Sequence, residues 1–253
     1  MNGIGQWTLV SYLIDKLGVS GTLVATAITM GGVLLCVILP YLLGSFNFGL
    51  IISRKKYNDD IRAHGSGNAG TTNMLRTYGV KAALLTLLGD MAKAALAVCL
   101  GYLIVGTNVE LTDPTTGQLF RYKDQFGAAI AGLFVMLGHM FPIFYQFKGG
   151  KGVATSAMVI LMISPISFAF CALVFLIVVL GTRYVSLASI MSVIFYPIIL
   201  TAFSGGQNPT ASMIAVFMAC LVVFMHRENI KRLRENKESK VNLGLKKKKN
   251  SEE

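Results

Sequence analysis

Three clusters of residues able to handle phosphate stand out in an otherwise apolar chain. The first runs from Arg62 to Arg76 as RAHGSGNAGTTNMLR. Gly65, Gly67 and Gly70 let the backbone bend closely around a ligand, and successive N–H groups in such a turn form a nest for an anion. Ser66, Asn68, Thr71 and Asn73 add side-chain donors, and Arg76 supplies a planar, permanently charged fork for phosphate oxygens. The same composition also suits a flexible polar turn between helices. The second cluster, GHMFPIFYQFKGGKGVAT from Gly138 to Thr155, combines Lys148 and Lys151 with Gly149, Gly150 and Gly152. It reads as a second phosphate cradle or as a short turn anchored by lysines. It is no Walker A loop: Tyr145 stands where GxxxxGK[ST] needs its first glycine, and Gly152 where it needs a hydroxyl. The third is HRENIKRL from His226, in which His226 and Asn229 are neighbours on one helix face. His226 could act as a base or as a phosphate donor, although the segment would also serve as an amphipathic membrane-exit helix. Arg183, Ser186 and Ser189 in RYVSLAS bring a further cation and two hydroxyls.

Several chemistries find no support. The three histidines, His64, His139 and His226, show no metal-ligand spacing, so no metal and no cofactor is expected. An HxxxxD acyltransferase dyad fails because Ala69, Phe144 and Lys231 occupy the fifth position after each histidine. Cys36, Cys99, Cys171 and Cys220 all lie in apolar stretches without CxxC spacing and read as small hydrophobes. Asp90 and Lys93, at i and i+3, read as an intramembrane ion pair that holds a bundle together.

The elements that must position these clusters are membrane helices. Of 253 residues, 54% are hydrophobic and only 14% charged, against roughly 25% charged in a soluble domain. Uncharged runs cover 17–53, 94–109, 125–147, 152–182 and 184–226, and about 20 apolar helical residues cross a bilayer core. The expected fold is therefore an all-α polytopic membrane protein of about seven transmembrane helices with short polar cytoplasmic loops. Helices are expected near 29–51, 82–105, 126–146, 184–203 and 210–226, with 152–182 folded into a hairpin at Pro165, where proline interrupts the helix. The loop 54–81 carries six Lys/Arg against two Asp and should be cytoplasmic. The loop 106–124 carries two basic and three acidic residues and reads as external. A hairpin at Pro165 keeps Arg183 and the basic tail inside. All three polar clusters then meet at the cytoplasmic face.

The net charge of +11 is unevenly spread, and residues 227–253 hold ten Lys/Arg against five Asp/Glu. Beside a membrane span this reads as cytoplasmic retention with attraction to anionic lipid. No aromatics interleave the lysines, so nucleic acid is not an expected partner. The domain plan is an interfacial extension over 1–28, a transmembrane domain over 29–228 that holds the three polar clusters, and a basic tail over 229–253. The N-terminal segment lacks the basic start and cleavage site of a signal peptide.

At these residues the chain resembles the acyl-phosphate:glycerol-3-phosphate acyltransferases of bacterial membranes, the PlsY type. The likeness runs through LLGSFNFGL, DIRAHGSGNAGTTNMLRTYG, GHMFPIFYQFKGGKGVAT, TRYVSLASI and HRENIKRL, over roughly residues 35–235. One departure is Asn47, where the family usually has Pro. The resemblance implies transfer of an acyl group from acyl phosphate to the 1-hydroxyl of glycerol 3-phosphate, in phospholipid biosynthesis at the cell membrane with the site facing the cytoplasm. It implies essential roles for Ser66 and Arg76, glycerol-phosphate binding by Lys148 through Gly152 with Lys151 the direct ligand, catalytic roles for His226 and Asn229, and a structural role for Glu228. Acyl phosphate, glycerol 3-phosphate and membrane lipids are the expected partners.

A secondary transporter of a phosphorylated metabolite is the alternative, since Gly-broken helices with cations at the substrate are expected there too. It should show inverted repeats and charges at the bilayer midplane. No convincing repeat is present, and only Asp90 and Lys93 lie well inside a span.

Overall fold

The computed structural model describes residues 8–18, 22–105, 109–112, 119–122, 125–205 and 208–241. Apart from one small hairpin, the described chain is helical. Its elements are α1 (Leu9–Lys16), α2 (Thr22–Ser45), α3 (Phe48–Tyr57), α4 (Thr71–Tyr78), α5 (Val80–Ile104), α6 (Phe126–Met140), α7 (Val153–Ile163), α8 (Pro165–Thr182), α9 (Val185–Ser204), α10 (Pro209–Met225) and α11 (Arg227–Arg234). Among the described residues five helical segments are long and apolar enough to cross a membrane, and a sixth is if α10 and α11, bent by 57°, count as one span. The protein is a multi-pass membrane protein. Large apolar side chains such as Leu173, Ile177 and Leu180 of α8 point outward, as a lipid-facing surface requires, whereas Asp90, Lys93 and His139 are buried inside.

The core is closed by small residues. A Cβ on Gly44 of α2 would run into the Val135 carbonyl oxygen of α6, and one on Gly138 of α6 would meet the Tyr41 carbonyl oxygen of α2. Two glycines facing each other let these backbones approach to a distance no larger residue allows. Around this contact Val98, Val135, Met136, Val159, Tyr196 and Met218 form the buried cluster.

Three places differ from the sequence expectation. The helix expected over 29–51 begins at Thr22 and breaks after Ser45. The cause is Asn47, whose side chain accepts the Leu50 N–H and starts α3. The extension over 1–28 contains α1, started by a reciprocal cap between Thr8 and Ser11 and packed on α2 through Val10, which a Cβ on Gly32 would strike. Residues 1–7 and 19–21 lie outside the described residues. The loop 106–124 contains two antiparallel strands, β1 (Val109–Thr112) and β2 (Leu119–Tyr122), with Val109 opposite Tyr122. Strict periodicity over four residues is too short a signal to separate a strand from a loop.

The break expected at Pro165 is present. Ser164 caps α8 by accepting the Ser167 N–H, and Pro165 occupies the first turn, where its missing N–H costs nothing. The preceding α7 has 11 residues, about 16 Å of helix against a hydrocarbon core of about 30 Å. Alone it reaches halfway.

Candidate active site

The polar clusters meet in a cavity of about 780 Å³. The first of them forms a loop organised by one buried amide. Asn73 Oδ1 accepts the Ser66 N–H at 3.1 Å, while its Nδ2 donates to the carbonyls of Ile61 at 3.2 Å, His64 at 2.9 Å and Asn68 at 3.0 Å. Asn73, read as a substrate donor, thus spends its polar atoms on the loop. Gly65 sits at φ +55°, and a Cβ there would collide with Asn73 Oδ1, so only glycine fits. The loop presents Ser66 and Arg76, both exposed, to the cavity mouth. Asn68 and Thr71 also line the cavity, and the side-chain oxygen of each is buried without a hydrogen-bond partner among the described residues.

Asp60 ties the loop down. It accepts from Arg54 Nη2 at 3.0 Å and from Arg62 through Nε at 2.9 Å and Nη2 at 2.7 Å. The Arg62 bonds hold its carboxyl well below the usual carboxylate range. Arg62 Nη1 also donates to the Tyr145 and Lys148 carbonyls, at 3.2 and 3.3 Å, which fastens the first cluster to the second. His64 points elsewhere, with Nε2 at 2.7 Å from Asp59.

The second cluster rests on a charged floor. Lys93 Nζ pairs with Asp90 at 2.8 Å and donates to the carbonyls of Gly44 at 2.9 Å and Phe46 at 2.7 Å. Those carbonyls belong to the end of α2 and the α2–α3 break. The same Nζ lies 3.0 Å from His139 Nδ1. The His139 ring in turn backs the glycine turn: the Gly150 N–H donates to the His139 carbonyl at 3.0 Å, and a Cβ on Gly150 would enter the imidazole. A Cβ on Gly149 would enter the His139 carbonyl oxygen. Gly149 and Gly150 therefore face the protein and do not line the cavity. Lys148 is exposed and outside it too, as is Gly67, whereas Lys151 and Gly152 form part of its wall.

The third cluster completes the wall. His226 Nδ1 lies 2.7 Å from the Val222 carbonyl and must carry the proton to bond it, which leaves the Nε2 lone pair free. His226 and Asn229 line the cavity with Ser186 and Ser189 of α9. Lys151 Nζ donates to Asn229 Oδ1. Burial, with the charges of Arg232 and Arg76 adding to it, pushes the Lys151 ammonium down to about 8, against a smaller upward pull from Glu238. Glu228 lies exposed in the first turn of α11, where its charge suits the helix dipole.

Arg232 and Glu238 are charged wall residues that escaped the sequence reading, and Asp90 and His139 of the charged floor also line the cavity. Arg232 was within reach of that reading, three residues after Asn229 on the same helix face. Ile160, Phe168, Phe175, Leu176 and Val193 give the cavity an apolar portion of its wall. No group of three or more metal-ligating side chains occurs among the described residues.

Residues 34–236 match the family described as glycerol-3-phosphate acyltransferase. The glycerol-3-phosphate acyltransferase of Paraburkholderia phytofirmans is 42% identical over 209 residues, covering 82% of this chain and 90% of that protein. That of Syntrophomonas wolfei is 41% identical over 204 residues, covering 81% and 94%. Among solved structures, PlsY, an integral membrane glycerol 3-phosphate acyltransferase, in its glycerol 3-phosphate form aligns with a TM-score of 0.68 at 37% identity, covering 83% of this chain and 96% of that one. Its lysophosphatidic acid form aligns at 0.67 and 35% identity.

Proposed function

This chain belongs to the glycerol-3-phosphate acyltransferase family, and we propose that its acyl donor is acyl phosphate and its acceptor the 1-hydroxyl of glycerol 3-phosphate. The observation that carries this reading is the cavity itself. Three cations from three separate segments, Arg76, Lys151 and Arg232, lie near one another in its wall, and apolar side chains of α7, α8 and α9 make up much of the rest. Both substrates bring a phosphate, and one also brings a lipid tail.

In the proposed step the 1-hydroxyl oxygen attacks the acyl carbonyl carbon. The bond from that carbon to the bridging oxygen breaks, and inorganic phosphate leaves with the electron pair. The hydroxyl proton passes to His226 Nε2; the support is that Nδ1 is committed to Val222. Phosphate is already a weak base, so catalysis consists mainly of orientation and charge neutralisation. Ser66 and Arg76 receive the acyl phosphate at the cavity mouth, Lys151 and Asn229 hold glycerol 3-phosphate, and the acyl chain lies against Ile160, Phe168 and Phe175. Gly67, Lys148, Gly149 and Gly150 serve by shaping the two turns.

Seven helical segments then lie in the membrane, α7 as a short arm that returns through α8, with the site facing the cytoplasm; the basic loop 54–81 and the residues after 226 support this orientation. Cysteines introduced singly at positions 65, 150 and 235 of a cysteine-free variant should all be labelled from the cytoplasmic side. Opposite labelling of 150 and 235 would mean that α7 and α8 cross once.

The direct experiment uses purified protein with acyl phosphate and glycerol 3-phosphate. Phosphate should be released without CoA or ATP. Turnover only with acyl-CoA would overturn the donor assignment.

A further inference from the structure

Beyond α11 the chain does not leave the site. Asn236 takes a left-handed conformation at φ +55°, the Asn236 N–H donates to the Leu233 carbonyl at 3.2 Å, and the Lys237 N–H donates to that of Arg232 at 2.8 Å. This pair of bonds is a Schellman end, which turns the chain sharply back. The Val241 N–H then donates to the Arg183 carbonyl at 2.8 Å, fixing the returning segment at both ends. Between these anchors Glu238 enters the cavity wall, its side chain only 8% exposed. Oε1 accepts from Asn229 Nδ2 at 2.7 Å and Oε2 accepts from Arg232 Nε at 2.7 Å.

We propose that Glu238 is a positioning residue of the phosphate site: it holds the Asn229 amide and the Arg232 guanidinium in place beside Lys151, so that the segment after α11 completes the wall that receives the phosphate of glycerol 3-phosphate. This rests on the function proposed above. The Asn229 amide has one productive orientation, Oδ1 toward the Lys151 ammonium and Nδ2 toward the Glu238 carboxylate. A carboxylate accepts and cannot donate, so it locks that orientation from the side opposite Lys151. It also sets one negative charge among Arg76, Lys151 and Arg232, which otherwise repel one another. Burial opposes ionisation of Glu238, yet the bonds from Asn229 and Arg232 hold its carboxyl below the ordinary value. The carboxylate is not standing where the phosphate belongs. An anion in that place would take the Lys151 ammonium directly, whereas Lys151 bonds to Asn229 and keeps its other protons for a ligand.

The test is calorimetric binding of inorganic phosphate and of glycerol 3-phosphate to the full chain in detergent, from neutral pH upward, with transfer measured in parallel. The groups facing Lys151 are Arg76 of α4, His226 between α10 and α11, Asn229 and Arg232 of α11, and Glu238. Loss of the Glu238 charge lets the cations push the Lys151 ammonium further down. Glu238→Gln should therefore weaken both ligands by roughly tenfold and move the alkaline loss of binding toward neutral pH, with Glu238→Asp between it and the parent protein. Unchanged affinity with an unmoved alkaline limb, in a variant that keeps its Tm, would overturn the proposal, and so would tighter binding. If Glu238→Gln does not fold, Glu238→Asp carries the same comparison. A parent protein that binds phosphate but transfers no acyl group would sink the donor assignment and leave the Glu238 comparison readable.

Discussion

The two walls of the cavity are built on opposite plans. On the α4 side one buried amide, Asn73, holds the backbone of a glycine loop, and the side chains left over, Ser66, Asn68, Thr71 and Arg76, face the cavity without a mutual network. On the α11 side the side chains bond one another in a row, Lys151 to Asn229 to Glu238 to Arg232. The first wall is a rigid backbone carrying free groups. The second is a rigid set of groups carried on a helix end and a loop. On the function proposed above, the α4 groups face the leaving phosphate, where charge changes during transfer, and the α11 row faces glycerol 3-phosphate, whose charge is constant. The α4 wall should therefore govern rate, and the α11 wall affinity.

The strongest way to break that comparison is Arg76→Lys. An ammonium keeps the positive charge but loses the bidentate fork. It should lose about 2–4 kcal/mol of transition-state stabilisation, the scale of one oxyanion donor, which is roughly 30- to 1000-fold in kcat. A near-parental kcat in correctly inserted protein would remove Arg76 from the chemistry.

Next in size is Asn73→Ala, which strips four loop contacts without touching a free group. Unpaired buried carbonyls cost about 1–3 kcal/mol each, so both Tm and kcat should fall together. A fall in kcat with an unchanged Tm would mean that Asn73 contacts substrate after all.

Gly150→Ala probes the other wall. The added methyl meets the His139 imidazole, which Lys93 and Asp90 hold in place, so the turn must move and Lys151 with it. The KM for glycerol 3-phosphate should rise on the order of tenfold with kcat much less affected. A large loss of kcat at constant KM would reverse the assignment of the two walls.

The smallest expected effect is in pH. Lys151 is lowered to about 8 in the free protein, so it is charged below that value and neutral above it. Phosphate binding favours the charged form. The KM for glycerol 3-phosphate should therefore rise as pH climbs through about 8, and Lys151→Arg should flatten this limb. An unaltered limb in Lys151→Arg would assign the titration to another group.

Much of this was legible because it depends on local pattern. The uncharged runs marked membrane helices, and Ser164-Pro165 marked the α7–α8 break, since proline and a hydroxyl cap act within one turn. His226 and Asn229 were legible as a pair by helical spacing. Asn47 stands out in the sequence only as a departure from the family pattern, and its effect, a new helix start beside a break whose Gly44 and Phe46 carbonyls accept from Lys93, needs the neighbouring helix. Gly149 and Gly150 were read as open to phosphate because sequence records that a Cβ is absent and not what would occupy its place.

By itself the sequence determined the class of the protein, the approximate positions of most of its long apolar helices and the three polar segments that contribute to the cavity, because hydropathy, capping and i, i+3 spacing act over a few residues. Only the tertiary structure decided which groups face the cavity and which hold the walls. Asn73 is turned to its own backbone, His139 is set behind Gly150, and Glu238 is brought back by the reversal at Asn236. Each of these depends on what packs at a distance along the chain, and burial makes an unpartnered polar group so costly that the nearest available partner determines its role.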